Sequence, residues 1–343
     1  MRIAQLSPLW ERVPPPAYGG TEGVVHLLTE GLVRRGHEVT LFASGDSVTS
    51  ARLRSVLPSS LRTASFIQDS RPYEWVHVAE ALQEAGSFDI IHNHSGELPM
   101  VVSSLFTTPM LSTMHCIITP DTKVVWDSYR GYYNTISWAE RKSMPTIRNS
   151  NFVGVVYNGI DVSSFPYRAD KEDYLLYLGR VAPEKGTHLA IDAAKRLGKK
   201  LLIAGKVDRV DRDYFIREVD PLIDGKLIHF LGEANAQWKR ELCARASVVL
   251  MPIVWEEPFG LVMVEAMACG TPVISFNRGA AAELIADGET GYLVADVDGM
   301  VEAVRRLDSI DPSRCRQHVA DHFDAARMVD GYVEVYERIL ASG

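Results

Sequence analysis

The chain has 343 residues, of which 46% are hydrophobic and 23% are charged, and its formal net charge is -8. This length exceeds the size at which a single hydrophobic core usually stops growing, so two domains are expected. The acidic balance argues against a nucleic-acid partner, because neutralising phosphates requires a large basic face. The sequence also has no apolar run of the roughly 18 to 20 residues that a helix needs to cross a bilayer.

The first residues of the chain are the basis for a prediction of cellular location. Met1 to Leu6 pass directly into a strand-like pattern, without the apolar stretch and cleavage site of a signal peptide. We therefore predict a cytoplasmic protein. The four cysteines are far apart and share no Cys-x-x-Cys spacing, so neither a zinc site nor a disulfide framework is predicted.

Short apolar runs alternate with helical patterns along the whole chain, which predicts an α/β fold with parallel sheets covered by helices. A helical pattern closed by Gly36 lies between the first two runs. In the first half, strands are expected at residues 3–6, 39–43, 89–91, 110–114, 135–138 and 152–157.

A polar stretch at residues 167–173 interrupts this alternation, and we place the linker between the domains there. After about Asp311 only helical periodicity remains. Strands of the second half are expected at residues 174–178, 201–204, 227–231, 248–251, 272–276 and 291–294. The predicted domains are 1–165 and 174–325, both Rossmann-like, with a C-terminal helix at 326–343 that packs back toward the first domain. Ligands are expected at the carboxyl ends of both sheets, in a cleft between the domains.

A glycine-containing loop at residues 14–23 follows the first strand and precedes the first helix. Gly19 and Gly20 allow a backbone to approach a phosphate closely, and the helix that follows offers free N–H groups and the positive end of its dipole. The alternative is an ordinary strand-to-helix turn. The loop does not match the Gly-x-Gly-x-x-Gly pattern of dinucleotide sites, which weakens a dehydrogenase interpretation.

Two basic residues follow the first strand of the second domain. Arg180 can form paired hydrogen bonds with phosphate oxygens, and Lys185 adds a point charge five residues later. Such a pair suits a diphosphate, although two basic residues in a loop are more often solvated surface.

Residues 256–274 form the most informative motif, which combines a Gly-containing turn, a helix and a strand. Glu257 stands just before the helix and Glu265 lies inside it. A carboxylate at the edge of a cleft can accept hydrogen bonds from sugar hydroxyls, and one deeper in the helix can hold ribose hydroxyls. The free N–H groups near Gly260 and Leu261 offer a site for a phosphate or a sugar.

Together these motifs resemble those of the retaining glycosyltransferases of family 4, which have the GT-B fold and belong to glycosyl-transferase group 1. The resemblance covers nearly the whole chain. It rests on Tyr18-Gly19-Gly20-Thr21-Glu22, Asn158-Gly159-Ile160-Asp161, Gly179-Arg180-x4-Lys185-Gly186 and Glu257-x7-Glu265. It implies two Rossmann-like domains that face each other across a cleft, with an acceptor side in the first and a nucleotide-sugar site in the second.

The resemblance also implies roles for individual residues. Arg180 and Lys185 would hold the donor diphosphate, Glu257 would contact the transferred sugar, and Glu265 would bind the ribose. Gly19 and Gly20 would approach the phosphates from the opposite domain. The expected donor-binding set is Gly19, Gly20, Arg180, Lys185, Glu257, Phe259, Gly260, Leu261 and Glu265.

A histidine near the transferred sugar is common in this family, and His115, in the segment 112–116, matches its position. It could hydrogen-bond a sugar hydroxyl or stabilise positive charge at the anomeric carbon, although a histidine after a strand is more often structural. The expected catalytic set is therefore His115, Glu257, Arg180 and Lys185. His92 and His94 match more loosely and are kept as acceptor-side candidates.

The sequence alone leaves two routes open for transfer with retention: double displacement, or same-face attack assisted by the leaving phosphate. The resemblance implies the second route, with no metal ion and no cofactor beyond the donor substrate. Two Asp-x-Asp matches, Asp211-x-Asp213 and Asp296-x-Asp298, lie in polar stretches where surface and capping aspartates are common, so neither is read as a metal site.

The sequence gives less specific evidence for the acceptor-binding region. Residues 50–71 carry four arginines against one acid, which fits an anionic acceptor, and residues 123–148 mix aromatic and basic residues, as a sugar-stacking or membrane-surface face would. The expected partners are a nucleotide sugar and a hydroxyl-bearing acceptor, either a saccharide, a lipid-linked group or a small molecule; peripheral membrane contact stays open.

The predicted function is that of a retaining hexosyltransferase of carbohydrate biosynthesis, of class EC 2.4. Family resemblance favours a UDP-sugar, with GDP and ADP open. Two alternatives remain: a nucleotide-sugar 2-epimerase with the same two-domain architecture, and a two-lobed sugar-binding protein of the periplasmic type.

Overall fold

A computed structural model describes residues 1–17 and 19–342. Tyr18 of the glycine motif and Gly343, the last residue of the predicted C-terminal helix, lie outside the described residues. The chain divides into two compact units. Unit 1 comprises residues 1–159 and 325–343, and unit 2 comprises residues 160–324. In this division the segment 160–173, which includes the linker expected from the sequence, belongs to unit 2.

Unit 1 contains a seven-stranded sheet in the order β3-β2-β1-β4-β5-β6-β7, and all its strand pairs are parallel. Its central strands are buried along their length, as expected for a parallel sheet covered on both faces. The strands are β1 (Arg2–Leu6), β2 (Glu38–Phe42), β3 (Arg52–Arg54), β4 (Ile90–Asn93), β5 (Met110–Thr113), β6 (Tyr132–Thr135) and β7 (Asn151–Val155). The helices between them are α1 (Gly20–Arg34), α2 (Arg71–Gln83), α3 (Leu98–Val102), α4 (Lys123–Ser128) and α5 (Trp138–Ser143).

Unit 2 contains a six-stranded parallel sheet in the order β10-β9-β8-β11-β12-β13, which is the strand order of a Rossmann fold. The strands are β8 (Leu175–Leu178), β9 (Leu201–Ala204), β10 (Ile228–Gly232), β11 (Val248–Met251), β12 (Val273–Phe276) and β13 (Gly291–Val294). The helices are α6 (Thr187–Leu197), α7 (Arg212–Tyr214), α8 (Ala236–Arg245), α9 (Leu261–Ala268), α10 (Ala281–Leu284), α11 (Val297–Arg305) and α12 (Pro312–His322).

The last helix, α13 (Ala325–Ala341), belongs to unit 1 and packs against α1. Its buried side chains recur every three or four residues, which gives it one apolar face. Gly31 of α1 permits the close approach, because a Cβ there would come within 2.5 Å of Val329. Further contact comes from Gln5 of β1, whose Nε2 donates a hydrogen bond to Oη of Tyr336 at 3.0 Å.

Two elements of unit 1 differ from the sequence prediction. The strand expected at 135–138 ends at Thr135, because Ser137 adopts an extended conformation and caps α5 by accepting a hydrogen bond from the Glu140 N–H at 2.9 Å. The short edge strand β3 was not expected; it lies within the basic segment 50–71. Within residues 1–17 and 19–342, no helix is both long enough and apolar enough to span a membrane.

Candidate active site

A pocket of about 280 Å³ lies in unit 1 at the carboxyl ends of β4 and β5. His94 directly follows β4, and His115 lies two residues beyond β5, so the parallel pairing of these strands brings both imidazoles to one edge of the sheet. The pocket is lined by Pro8, Leu9, Trp10, Thr21, Glu74, Asn93, His94, Ser95, Gly96, Glu97, Met100, Ser112, Thr113, Met114, His115, Cys116 and Trp126. The sequence-predicted His115 thus lines a cavity.

His115 is joined to a second histidine within this pocket. Its Nε2 lies 2.9 Å from Nδ1 of His94, and Nε2 of His94 lies 3.0 Å from Oε1 of Gln5. Burial lowers the pKa of His115 to about 4 and the pKa of His94 well below its ordinary value. Both imidazoles are therefore neutral at pH 7, so His115 can exchange hydrogen bonds with a hydroxyl but brings no positive charge to the pocket.

His92 does not fit the acceptor-side role considered from the sequence. Its side chain is fully buried, and its two ring nitrogens contact Oη of Tyr336 at 2.6 Å and Oγ1 of Thr113 at 2.5 Å. Because both nitrogens already have protein partners, His92 has no atom left for a ligand. Its neighbour His94 lines the pocket and is 3% exposed.

The glycine loop precedes α1, whose N-terminal residue is Gly20. Gly19 packs closely on Pro15, since a Cβ at Gly19 would come within 2.7 Å of the Pro15 Cβ. Gly19, the residue before α1, provides no side-chain cap. The structure adds two buried acids near this loop, Glu11 and Glu22. Desolvation, followed by the nearby Glu11 carboxylate, raises the pKa of Glu22.

The four arginines of the basic segment 50–71 lie next to carboxylates. Arg54 bonds to Glu84 at 2.7 Å, with Arg52 4.0 Å from the same carboxylate, and Arg62 is paired with Glu11. Arg71 is paired with Asp69 at 2.7 Å. Each guanidinium has a carboxylate partner, so an anionic acceptor in this region stays a prediction that would require one of these ion pairs to open.

Most aromatic residues of segment 123–148 do not form the sugar-stacking or membrane-surface face considered from the sequence. Trp126, Tyr129 and Tyr133 are buried in the hydrophobic core of unit 1, where Trp126 and Tyr133 meet edge to face. Trp138 is exposed. Most of these aromatics are therefore core residues rather than a sugar-stacking face.

In unit 2, Arg180 follows β8 and is held by two acids. Its Nη1 donates to Oδ2 of Asp211 at 2.7 Å, and its Nη2 is paired with Glu184. The first Asp-x-Asp match therefore contributes Asp211 as an ion-pair partner of Arg180. In the second match, Asp296 caps α11 by accepting from the Gly299 N–H at 2.9 Å. Among the described residues, no group of three or more His, Cys, Asp or Glu side chains is arranged so that it could hold a metal ion.

Lys185 and Glu257, which are 72 residues apart in the sequence, form an ion pair that is largely buried. Trp255 completes this cluster, because its Nε1 donates to Oε2 of Glu257 at 2.9 Å and its ring lies 4.9 Å from Lys185 Nζ. Trp255 was not predicted from the sequence, where it stands only two residues before Glu257. The structure thus places Lys185, which was predicted to bind the diphosphate, in direct contact with Glu257, which was predicted to bind the sugar.

The backbone of the 256–257 loop is fixed by a second loop. The N–H of Ala280 donates to the carbonyl of Glu257 at 2.9 Å, and the N–H of Gly279 donates to Oε2 of Glu256 at 2.9 Å. Gly279 has φ of 54°, and a side chain there would overlap the backbone of Glu257. These contacts fix the backbone position of Glu257.

Helix α9 begins after Gly260, which has φ of 94° and provides no side-chain cap. Leu261 is its first residue, so the site predicted for a phosphate or a sugar lies at the N-terminus of α9. Phe259 is 2% exposed and meets Phe323 edge to face at 6.0 Å, so its side chain belongs to the core of unit 2 and only its backbone could meet a donor.

Glu265 lies on α9 and is 8% exposed. Its Oε1 accepts a hydrogen bond from Lys239 Nζ of α8 at 2.6 Å, whereas Oε2 is buried and has no hydrogen-bond partner among the described residues. A buried carboxylate oxygen that lacks a partner is costly unless a ligand supplies one. Lys239 was missed from the sequence because nothing in its local spacing links it to Glu265.

The chain is similar to known glycosyltransferases over its whole length. A model for the group 1 glycosyl transferases matches residues 161–318, and a model for glycosyltransferase family 4 matches residues 18–164. The phosphatidyl-myo-inositol mannosyltransferase of Mycolicibacterium smegmatis (strain ATCC 700084 / mc(2)155) is 30% identical over 384 residues, with 100% of this chain and 95% of that protein covered. The chain belongs to the group 1, family 4 glycosyltransferases. Both the family and the enzymatic class predicted from the motifs are confirmed.

Solved structures give the fold of this group 1 glycosyltransferase. The crystal structure of AviGT4, a glycosyltransferase involved in avilamycin A biosynthesis, matches with a TM-score of 0.77 and 26% identity, covering 100% of this chain and 99% of that one. Anabaena Alr3699/HepE in complex with UDP and glucose matches with a TM-score of 0.73 and 18% identity, covering 98% and 100% respectively. The GT-B fold class is therefore confirmed, and the roles of individual residues remain predictions.

Proposed function

We propose that this group 1 glycosyltransferase moves a hexose from a UDP-sugar to a hydroxyl acceptor, with retention of configuration and without a metal ion. In this proposal unit 2 binds the nucleotide and the diphosphate, and the unit 1 pocket handles sugar hydroxyls. The cytoplasmic location, the absence of a cofactor and the role in carbohydrate biosynthesis predicted from the sequence stay predictions.

The observation that carries the proposal is the partly satisfied carboxylate of Glu265. Its Oε2 is a buried acceptor without a hydrogen-bond partner among residues 1–17 and 19–342, and its Oε1 is held by Lys239. Two vicinal ribose hydroxyls are donors that suit such an oxygen. Because Lys239 holds one oxygen in place, the other is oriented before the ligand arrives, which reduces the cost of binding.

The charges around Arg180 and Lys185 support a diphosphate site that needs no metal ion. Both cations are held by carboxylates, Arg180 by Glu184 and Asp211 and Lys185 by Glu257. A diphosphate can replace a carboxylate as the partner of these groups, because phosphate oxygens form the same charge-assisted hydrogen bonds. Two positive side chains would also stabilise the negative charge of the leaving diphosphate.

The chemical step in this proposal is same-face attack. In same-face attack, the acceptor hydroxyl loses its proton to the leaving phosphate as the bond from the sugar to that phosphate breaks and the new glycosidic bond forms. Glu257, once released from Lys185, can accept hydrogen bonds from the sugar hydroxyls. The protein's contribution is then to position two substrates and to stabilise the leaving group.

Support for UDP comes from the structural neighbour Alr3699/HepE, which was solved with UDP and glucose; at 18% identity this likeness concerns the fold. The relative from Mycolicibacterium smegmatis is named a phosphatidyl-myo-inositol mannosyltransferase, whereas a relative from Mycobacterium tuberculosis is named a glycogen synthase, so the names of the relatives differ in sugar and acceptor. UDP is therefore our first choice of nucleotide, and the acceptor is defined only as a hydroxyl-bearing molecule.

A thermal-shift panel of UDP-, GDP-, ADP- and TDP-sugars in EDTA tests the donor, because a ligand that binds the native state raises its melting temperature. The UDP series is expected to raise Tm, and Lys185→Ala and Glu265→Ala are each expected to abolish the rise. A Tm that no nucleotide changes, or a rise that survives both substitutions, would contradict the donor site. Proton NMR of the anomeric signal during turnover then tests retention.

The 2-epimerase alternative predicts a different product. An epimerase converts the UDP-sugar in the absence of any acceptor, whereas a transferase needs an acceptor to form a glycoside. Chromatography of UDP-sugars after incubation without acceptor separates the two, since a new UDP-sugar epimer would favour the alternative.

A further inference from the structure

A buried chain of hydrogen bonds runs through unit 1 and ends at His115. One of its ends is Asn134 of β6, which is fully buried. Nδ2 of Asn134 lies 3.3 Å from the backbone carbonyl of Thr135, and its Oδ1 lies 2.6 Å from Oγ1 of Thr113. A carbonyl can only accept a hydrogen bond, so the amide nitrogen must face Thr135. The orientation of the Asn134 side chain is therefore fixed by the backbone.

The direction of the next two hydrogen bonds follows from this orientation. Because Oδ1 of Asn134 can only accept, Thr113 must donate its single hydroxyl proton to it. Oγ1 of Thr113 is then an acceptor for its other neighbours, including Nε2 of His92 at 2.5 Å. His92 therefore carries its proton on Nε2. Burial lowers the pKa of His92 well below its ordinary value, so the ring is neutral and its Nδ1 has no proton.

The same reasoning passes through Tyr336 and Gln5. A bare Nδ1 of His92 must accept a hydrogen bond from the Tyr336 hydroxyl, 2.6 Å away. Since its own proton is used, Oη of Tyr336 accepts from Nε2 of Gln5 at 3.0 Å. The Gln5 amide is thereby oriented with Oε1 toward His94, and Oε1 can only accept.

The last step reaches the pocket. Nε2 of His94 must donate to Oε1 of Gln5 at 3.0 Å, so the neutral His94 ring has no proton on Nδ1. That nitrogen accepts from Nε2 of His115 at 2.9 Å. His115 is neutral as well, and its Nδ1 then has no proton. Among the described residues, Nδ1 of His115 has no hydrogen-bond partner, and the residue lines the pocket.

We propose that this one-directional chain, from the Thr135 carbonyl through Asn134, Thr113, His92, Tyr336, Gln5 and His94, fixes His115 as its Nε2–H tautomer and makes its Nδ1 an acceptor. Each intermediate member is a positioning residue, which acts on the ligand through His115. Reversal of the chain would require the Asn134 amide to turn its oxygen toward the Thr135 carbonyl, where two acceptors would meet without a proton.

The consequence for specificity rests on the proposed function, while the proton positions do not. An Nδ1 without a proton accepts a hydrogen bond from a hydroxyl but repels a carboxylate, a phosphate oxygen or a carbonyl, which also bring lone pairs. The pocket thus selects a hydroxyl at His115. A site that hydrogen-bonds a substrate hydroxyl rejects analogues that lack it, because the bound ligand then covers an acceptor that has no donor.

Nitrogen NMR of the full chain, labelled with ¹⁵N-histidine and free of ligand, tests the proton positions directly. Single substitutions of His92, His94 and His115 by glutamine assign their signals. At pH 7.5 we expect all three rings to be protonated on Nε2 and bare on Nδ1. An Nδ1–H tautomer or an imidazolium at any of the three would overturn the proposal, whatever the donor is.

Two tyrosines on α13 provide a matched pair of variants. Tyr336 is in line between His92 and Gln5, whereas Tyr332 lies on a side branch, with its hydroxyl 3.2 Å from Thr113 and 3.4 Å from Nδ2 of Asn134. Both side chains are fully buried, so the packing cost of losing a hydroxyl is similar. Tyr336→Phe disconnects Gln5 from His92, after which the Gln5 amide is free to turn. Tyr332→Phe leaves every link of the chain in place.

We expect Tyr336→Phe to give His94 and His115 a mixture of both tautomers and Tyr332→Phe to leave them unchanged. With the donor that the thermal-shift panel identifies, kcat/KM should fall about tenfold in Tyr336→Phe, the size of one hydrogen bond, and less than twofold in Tyr332→Phe. Unchanged tautomers in Tyr336→Phe would overturn the directing role of the chain. Absence of any active nucleotide donor, by contrast, would contradict the proposed function and leave the NMR result standing.

Discussion

Lys239 Nζ lies 2.6 Å from Oε1 of Glu265, while the second carboxylate oxygen of Glu265 is buried without a hydrogen-bond partner in the described part of the chain. The ion pair holds one oxygen in place and leaves the other oriented for a ligand. This arrangement is the strongest local indication of a nucleotide site in unit 2.

Glu265→Gln should weaken UDP binding by about tenfold to a hundredfold, because it removes a charged acceptor from the ribose hydroxyls. The same substitution should change the affinity for 2′,3′-dideoxy-UDP by less than threefold, since that ligand has no ribose hydroxyls to donate. Calorimetric titration of both nucleotides measures the difference. Glu302→Gln, at an exposed ion pair with Arg305, is the control and should behave as wild type. Equal losses for both nucleotides would contradict a ribose contact.

Glu257→Gln is expected to strengthen UDP binding and to slow sugar transfer. The Glu257 carboxylate holds Lys185 in the unliganded protein, so its neutralisation frees the ammonium for a diphosphate and should tighten UDP binding several-fold. Sugar transfer should fall at least tenfold, because the hydrogen bonds to the sugar are weakened. Glu302→Gln, at the exposed ion pair with Arg305, serves as the comparison for both measurements. Weaker UDP binding in Glu257→Gln would show that Glu257 and the diphosphate do not compete for Lys185.

The two glycines that flank α6 allow a test of local packing. Gly186 and Gly198 both adopt left-handed conformations, with φ of 70° and 63°. A Cβ at Gly186 would overlap the carbonyl oxygen of Pro252, whereas a Cβ at Gly198 meets no atom within 4 Å. Gly198→Ala should therefore cost about 1 kcal/mol of unfolding free energy. Gly186→Ala should cost more, because it adds a steric clash, and urea denaturation compares them. Equal costs would show that the loop relaxes around the new side chain.

The pH dependence of stability should report the buried His77. Its Nε2 donates to the carbonyl of Ser7 at 3.0 Å, and burial lowers its pKa to about 4. Below pH 6.5 the unfolded chain binds a proton that the folded chain does not. The free energy of unfolding contributed by this residue is thus fully present above pH 6.5 and is lost as the pH falls toward 4.

His77→Gln should flatten the fall of stability between pH 6.5 and 4 by about 1.4 kcal/mol per pH unit. Urea denaturation at several pH values gives the slope, which is the quantity compared, since the substitution also changes the absolute stability. Identical slopes for the variant and the wild type would mean that His77 is protonated in the folded state.

Much of the fold could be predicted from the sequence, because the strands of parallel sheets are short continuous apolar runs. Strands β9, β11 and β13 have the predicted bounds, and the periodic C-terminal pattern forms α13. The expected strand at 135–138 was wrong because a β-branched and aromatic run also contains Ser137, which caps a helix. β3 was missed because three exposed or half-exposed residues at a sheet edge leave no apolar run.

Only those residues of the candidate site that lie in local sequence motifs could be predicted. Glu257, Glu265, Arg180, Lys185 and His115 were all selected from motif context, but their partners come from distant parts of the chain. Gln5 and Tyr336, for example, are 331 residues apart. Such pairs have no characteristic spacing in the sequence. The chain of hydrogen bonds to His115 and the Lys185–Glu257 ion pair could therefore be identified only from the three-dimensional structure.

The most direct test of a metal-independent diphosphate site is calorimetric titration of UDP-glucose in EDTA into wild type, Lys185→Met and Lys199→Met. Lys199 is the matched control, since it pairs with the exposed Asp173. We expect wild type and Lys199→Met to bind with equal affinity and Lys185→Met to bind at least tenfold more weakly. Equal binding by Lys185→Met, or no binding by wild type until a divalent metal is added, would contradict a metal-independent diphosphate site at Lys185.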